Sequence, residues 1–75
     1  MSFGRGSTVR VEPTKDPNAP GGVKWIVRVN GSPSSSHNYK DTAVKKARQK
    51  GRANNAKLTI KNKDGSVSER VNYDN

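Results

Sequence analysis

The run VKWIVRVNG, residues 23 to 31, constrains the fold more than any other part of the chain. Val23, Trp25, Val27 and Val29 fall on one side of an extended strand, with Lys24, Ile26 and Arg28 on the other. Alternation of period two marks a strand buried on one face. Asn30-Gly31 follows at once, and Asn-Gly tolerates positive φ at both central positions of a tight hairpin turn. SSSH, residues 34 to 37, is therefore expected to return antiparallel to the Trp25 strand, on the authority of the turn more than of its own composition.

The rest of the chain fits around that hairpin. STVRVE, residues 7 to 12, alternates with Val9 and Val11 on one face and predicts a strand. PTKDPNAPGG, residues 13 to 22, holds three prolines and two glycines and predicts a loop, long enough to wrap a partner or to move. NYKDTAVKKARQKGRANN, residues 38 to 55, predicts a helix. Asn38 is the expected N-cap, with Asp41 completing a capping box and suiting the positive end of the helix dipole. Ala43, Val44, Ala47 and Gly51 form a narrow apolar stripe of small residues, so the helix should lie close to what it covers. The asparagines at 54 and 55 suit a left-handed C-terminal cap.

KLTIK, residues 57 to 61, predicts a strand with Leu58 and Ile60 facing in, and Asp64-Gly65 predicts a second hairpin. SVSERVNY closes the pattern with Val67, Val71 and Tyr73 in phase. Glu69 shares that phase, which implies a sheet margin or a bulge. Residues 1–7 read as a flexible tail, and residues 8–73 as a single small α+β domain. Its order is β-β-β-α-β-β: a mainly antiparallel sheet with one helix packed on one face and Trp25 beneath it.

The residues Trp25-x-Val27, Gly31, Tyr39-Lys40, Ala43-Val44, Ala47-Arg48, Leu58-x-Ile60 and Asp64-Gly65 together resemble a small bacterial and archaeal family, domain of unknown function 2188. The resemblance covers about residues 23–67. Tyr39 stands where the family usually has Thr, and Gly51 where a helical Ala is usual, a change that costs up to about 1 kcal/mol. The resemblance implies an α+β fold and implies no activity.

Charge narrows the function classes. The 75 residues include 15 Lys and Arg against 6 Asp and Glu, a net charge of +9. That balance points to a polyanionic partner. Residues 40 to 63 are the most one-sided part, with Asp41 as their single acid before the turn at Asp64. The chain has no Cys, hence no disulfide and no thiolate chemistry. His37 is the only histidine, too few for a metal site, so no metal and no cofactor are expected. Ser34, Ser35, Ser36, His37 and Asp41 place triad residue types close in sequence. Triads are recognised by geometry, not by neighbourhood, and a hairpin edge with a helix cap accounts for these residues more simply. No enzyme is expected. No apolar run spans a bilayer, and MSFGRGS lacks the apolar segment of a signal peptide, so the expected location is cytoplasmic.

The expected site is the basic helix. At about 100° per residue, Lys45, Arg48, Gln49 and Arg52 form an outward stripe flanked by Lys46 and Lys50. With Lys57, Lys61 and Lys63 adding to them, these cations are expected to crowd one exterior side and meet a negatively charged partner there. Duplex DNA is the first candidate. Of the four aromatics, Trp25 and Tyr73 are assigned to the core, leaving Tyr39 and Phe3 for base stacking. Contact would run through the helix or through a polar sheet face carrying Lys24, Arg28, Lys57 and Lys61. The alternative is a protein–protein interaction module, an inhibitor or accessory factor docking on an acidic protein surface, with Ile26 or the edge strand beside Asn30-Gly31 as its apolar anchor. Homodimerisation through a sheet edge or the Ile26 face is a subsidiary option.

Overall fold

Alternating side chains build the sheet, and one helix of small residues closes it. The computed structural model describes residues 7–73. The strands are β1 (Thr8–Lys15), β2 (Val23–Val29), β3 (Ser32–His37), β4 (Lys57–Lys61) and β5 (Val67–Asn72), with helix α1 (Lys40–Asn54) between β3 and β4. They form one five-stranded sheet in the order β3-β2-β1-β4-β5. All its pairs are antiparallel except β1 with β4, which run parallel. α1 carries the chain from the β3 edge across one face of the sheet to β4 beside the central β1. The expected β-β-β-α-β-β order and the single covering helix are as the sequence predicts.

The core is the set of inward alternating positions. Val9, Val11, Trp25, Val27, Leu58 and Ile60 rise from the strands to meet Ala43, Ala47 and Gly51 of α1. Trp25 is only 6% exposed, and burying it stabilises the fold by roughly 2–3 kcal/mol. Lys40 spans the edge of this core, with Nζ 5.7 Å from the Trp25 ring centroid and donating to Asn62 Oδ1 at 3.0 Å. The helix start is thereby tied to the β4–β5 connection.

Gly51 has a reason to be glycine. A Cβ placed there would lie 2.7 Å from Tyr73 Cδ2 and 2.9 Å from Cε2. The Tyr73 ring packs directly on the helix backbone, and the Tyr73 backbone N–H donates to Ala56 O at 3.0 Å. The helix-propensity cost expected from the sequence is exchanged for this contact.

The turns follow the sequence signals. Asn30 and Gly31 both take positive φ, 54° and 86°. Asn30 does more than turn the chain: its N–H donates to Thr8 O at 2.8 Å, and its Oδ1 accepts from the Thr8 N–H at 3.0 Å. The β2–β3 turn is thus fastened to the start of the central strand. Asn55 caps α1 in the left-handed conformation, φ 48° and ψ 47°.

Four local expectations are corrected. Residues 13 to 15 belong to β1 and not to a loop. Pro13 pairs with Trp25 on one side, and β4 pairing ends at Val11, so its missing N–H falls where one edge of the strand is open. The remaining connection, residues 16 to 22, is folded on itself. Asp16 N–H donates to Gly22 O, Ala19 N–H to Asp16 O, and Gly22 N–H to Ala19 O, all at 2.9–3.0 Å. Second, the N-cap of α1 is Tyr39 in extended conformation, with no side-chain cap bond, so Asn38 and Asp41 form no capping box. Asp41 still sits in the first turn, where a carboxylate complements the dipole. Third, a bulge between Ile60 and Lys61 pairs Lys61 with Val67 and takes that valine out of phase with Val71. Val67 is exposed, and Glu69 stays on the helix side at the sheet margin. Fourth, Ser7 is buried, and its carbonyl accepts from the Lys57 N–H at 3.0 Å, so it belongs to the domain. The rest of the expected tail, residues 1–6, lies outside the described residues.

Candidate nucleic-acid interface

Helix geometry decides where the basic residues of α1 point. Ala43, Ala47 and Gly51 are buried against the sheet, so positions half a turn away face out. Lys45, Lys46, Arg48 and Arg52 are exposed there, and Lys50 is half-buried on the flank. From Lys45 to Arg52 the helix rises about 10 Å, so five cations occupy roughly two turns. Repulsion between like charges at i,i+4 costs a few tenths of a kcal/mol per pair.

Internal carboxylates relieve little of this. Arg48 Nη2 lies 3.4 Å from Glu69 Oε1, and both side chains are about half exposed. A surface pair of that kind contributes about 0–1 kcal/mol. Among the described residues, Lys45, Lys46, Lys50 and Arg52 form no ion pair. Asp41 shares the outward stripe one turn before Lys45 and bounds the array at its N-terminal end.

The other three expected cations are not on this side. Lys57 and Lys61 alternate with buried Leu58 and Ile60, so they face away from α1. Lys61 Nζ is 3.7 Å from Glu12 Oε2. Lys63 lies in the β4–β5 turn, with Nζ 3.9 Å from where a Gly21 Cβ would stand. The expectation of a single crowded side is therefore corrected: the eight residues divide between the outer side of α1, the opposite face of the sheet and one end of the domain. The sheet alternation places them apart, since odd and even positions of β4 point in opposite directions.

Two further basic residues join Lys24, Arg28, Lys57 and Lys61 on the open sheet face. Arg10 alternates with buried Val9 and Val11, and Arg70 alternates with half-buried Val71. Arg10 was legible as an outward residue of its strand. Its closeness to Arg70 depends on the parallel β1–β4 pairing, which no turn signal announces.

His37 ends β3, half-buried, with Nε2 2.9 Å from Ser35 Oγ. Asp41 lies on the helix beyond it, and the Ser-His pair has no carboxylate partner among the described contacts. Among the described residues no group of three or more His, Cys, Asp or Glu is placed to hold a metal ion, and no helix is long and apolar enough to cross a membrane. Tyr39 is exposed at 61%, while Trp25 is buried and Tyr73 packed on Gly51.

No curated protein and no solved structure matches the chain. A family model does, over residues 8–73, which extends the resemblance seen over 23–67 to the whole described domain apart from Ser7. It takes in all five strands, the Trp25 core and the helix with its stripe of small residues, and the chain belongs to the family described as uncharacterized protein conserved in bacteria, DUF2188.

Proposed function

We propose that this domain is a small, non-enzymatic basic binding protein that contacts the phosphate backbone of duplex DNA with little sequence specificity. One observation carries the reading: five cations on two turns of α1, of which Arg48 alone reaches a carboxylate among the described residues. Phosphates set against them relieve their mutual repulsion and release condensed counterions. Tyr39 is the single exposed aromatic among the described residues, which offers no platform for stacked bases and favours a duplex over a single strand.

The reading has a quantitative consequence. If five phosphates are neutralised, log K falls with log salt at a slope of about −4.5, a loss of roughly 500-fold between 50 and 200 mM. A gel shift with duplex DNA, single-stranded DNA and RNA at two salt concentrations tests it, beside a Lys46→Glu/Arg48→Glu/Lys50→Glu/Arg52→Glu variant. Duplex binding that weakens steeply with salt and disappears in the variant is the expected result. Binding indifferent to salt rejects it.

A second reading draws on Ile26. Half-buried on the open sheet face, it lines a shallow hollow of 270 Å³ with Pro33 and Ser34 to Ser36. There it is an apolar anchor for an acidic protein surface. A defined protein retained by the domain after nuclease treatment of the sample favours this second reading.

A further inference from the structure

The face of the sheet that α1 leaves open holds a second cationic array, and its register is unusual for a face shaped by folding alone. Arg28, Arg10, Thr59 and Arg70 stand side by side across β2, β1, β4 and β5. At about 4.8 Å per strand the row is roughly 14 Å long, close to the width of a DNA major groove, about 12 Å. Lys24, Lys57 and Lys61 flank it on the same face. Arg10 and Arg28 are directly opposite each other, and like charges in that relation destabilise a sheet.

Glu12 is the one carboxylate among them. Its oxygens lie 2.8 Å from Arg28 Nε, 3.8 Å from Arg10 Nη1 and 3.7 Å from Lys61 Nζ. Arg28 also donates from Nη1 to Gly31 O at 3.2 Å. One negative charge thus orients three cations and leaves most of their charge uncompensated. Side chains already held in place lose less freedom on binding. Three residues of the row, Arg10, Thr59 and Arg70, line a shallow cavity of 600 Å³ together with Lys57 and the apolar Leu58 and Val71. Guanidinium, ammonium and hydroxyl donors around one concavity are the groups that bind phosphate oxygens.

We infer that this face is a second site for a nucleic-acid phosphate backbone, so that one domain bridges two duplexes, α1 on the first and the sheet on the second. The inference rests on the proposed reading of α1. The two arrays lie on opposite sides of the sheet, and a duplex is stiff over about 150 base pairs, so one straight duplex cannot occupy both. Charge complementarity selects the occupant: six basic side chains against Glu12 repel a second copy of this chain and attract a polyanion.

The test uses the full chain with one duplex fixed on beads and a second, labelled duplex in solution. Wild type is expected to carry the labelled duplex onto the beads at low salt. Lys57→Gln/Arg70→Gln changes two exposed residues, and its fold is checked by circular dichroism. It should lower capture at least about tenfold, while the gel-shift affinity for one duplex falls less than about threefold, because the α1 contacts remain. Arg70→Gln alone, on the edge strand, should move capture in the same direction by less. Wild type that shifts a single duplex yet captures none overturns the bridging and leaves the α1 reading standing. Wild type that shifts no duplex overturns both. Undiminished capture by Lys57→Gln/Arg70→Gln overturns the sheet site and assigns bridging to self-association.

Discussion

The two faces of the sheet come from the same strands and obey different physics. On the covered face, Val9, Val11, Trp25, Val27, Leu58 and Ile60 are buried and their identities follow from packing. On the open face, Arg10, Glu12, Arg28 and Lys61 are half-buried and meet through charge, and Arg70 is exposed in the same row. A residue's position in the alternation decides which rule governs it. The covered face carries most of the buried apolar surface and tolerates little; the open face holds its charges in half-buried or exposed side chains.

The comparison breaks most visibly if the covered face proves dispensable. Trp25→Ala should cost about 3–5 kcal/mol. A domain of this size has little stability to spare, so the variant should be largely unfolded at room temperature by circular dichroism. An unchanged melting point would refute the assignment of the core.

Gly51 sharpens the point, because there closeness matters more than apolar character. Gly51→Ala should destabilise by about 1–2 kcal/mol as the new Cβ displaces the Tyr73 ring. In a Tyr73→Ala background the sign should reverse, since the helix then gains up to about 1 kcal/mol from losing a glycine. A double-mutant cycle by thermal melting measures the coupling. Equal effects in the two backgrounds would show that the ring does not dictate the glycine.

On the open face Glu12→Gln separates stability from binding. Removing the carboxylate leaves Arg10, Arg28 and Lys61 mutually repelling, at a cost of about 1 kcal/mol at low salt. The same change raises net charge and should tighten duplex binding, read by gel shift. Looser binding would mean that Glu12 serves the site chiefly by orienting its cations.

The smallest effect lies on neither face. In the β4–β5 turn, the Ser66 hydroxyl and then its N–H donate to Asp64 Oδ1, at 2.6 and 3.0 Å, and hold the Asp64 carboxyl below its ordinary range. A carboxyl whose folded pKa is lowered stabilises above its unfolded pKa and loses that contribution as pH falls through the folded value. Asp64→Asn should lower the melting temperature slightly at neutral pH, where the carboxylate contributes, and the two proteins should converge as pH falls through the folded pKa. Melting curves that stay parallel from neutral to acid pH would separate this carboxyl from the turn's stability.

Much of this was legible in the residues. VKWIVRV with Asn30-Gly31 specified a strand and its turn, because alternation and positive φ are local properties. The small stripe on α1 specified a close-packed helix. What stayed hidden was non-local. Pro13 reads as a loop residue until the open edge beside it is known. Asn38 reads as a cap, but the helix starts from Tyr39, with Lys40 anchored on Asn62 and Trp25. The helix cations and the sheet-face cations were separable by period alone; it was the row across the sheet that required the parallel pairing of β1 with β4. Arg10 and Arg70, far apart in sequence, could not be placed in one row without it.

That parallel pairing also bears on how the chain reaches its native state. The β2–β3 and β4–β5 hairpins can each close locally, but Val9 and Val11 must wait for Leu58 and Ile60 before the sheet has a centre. Contacts so distant in sequence are slow to form. During synthesis the first strand therefore leaves the ribosome without its second neighbour, and cooperative folding begins only when nearly the whole domain has emerged.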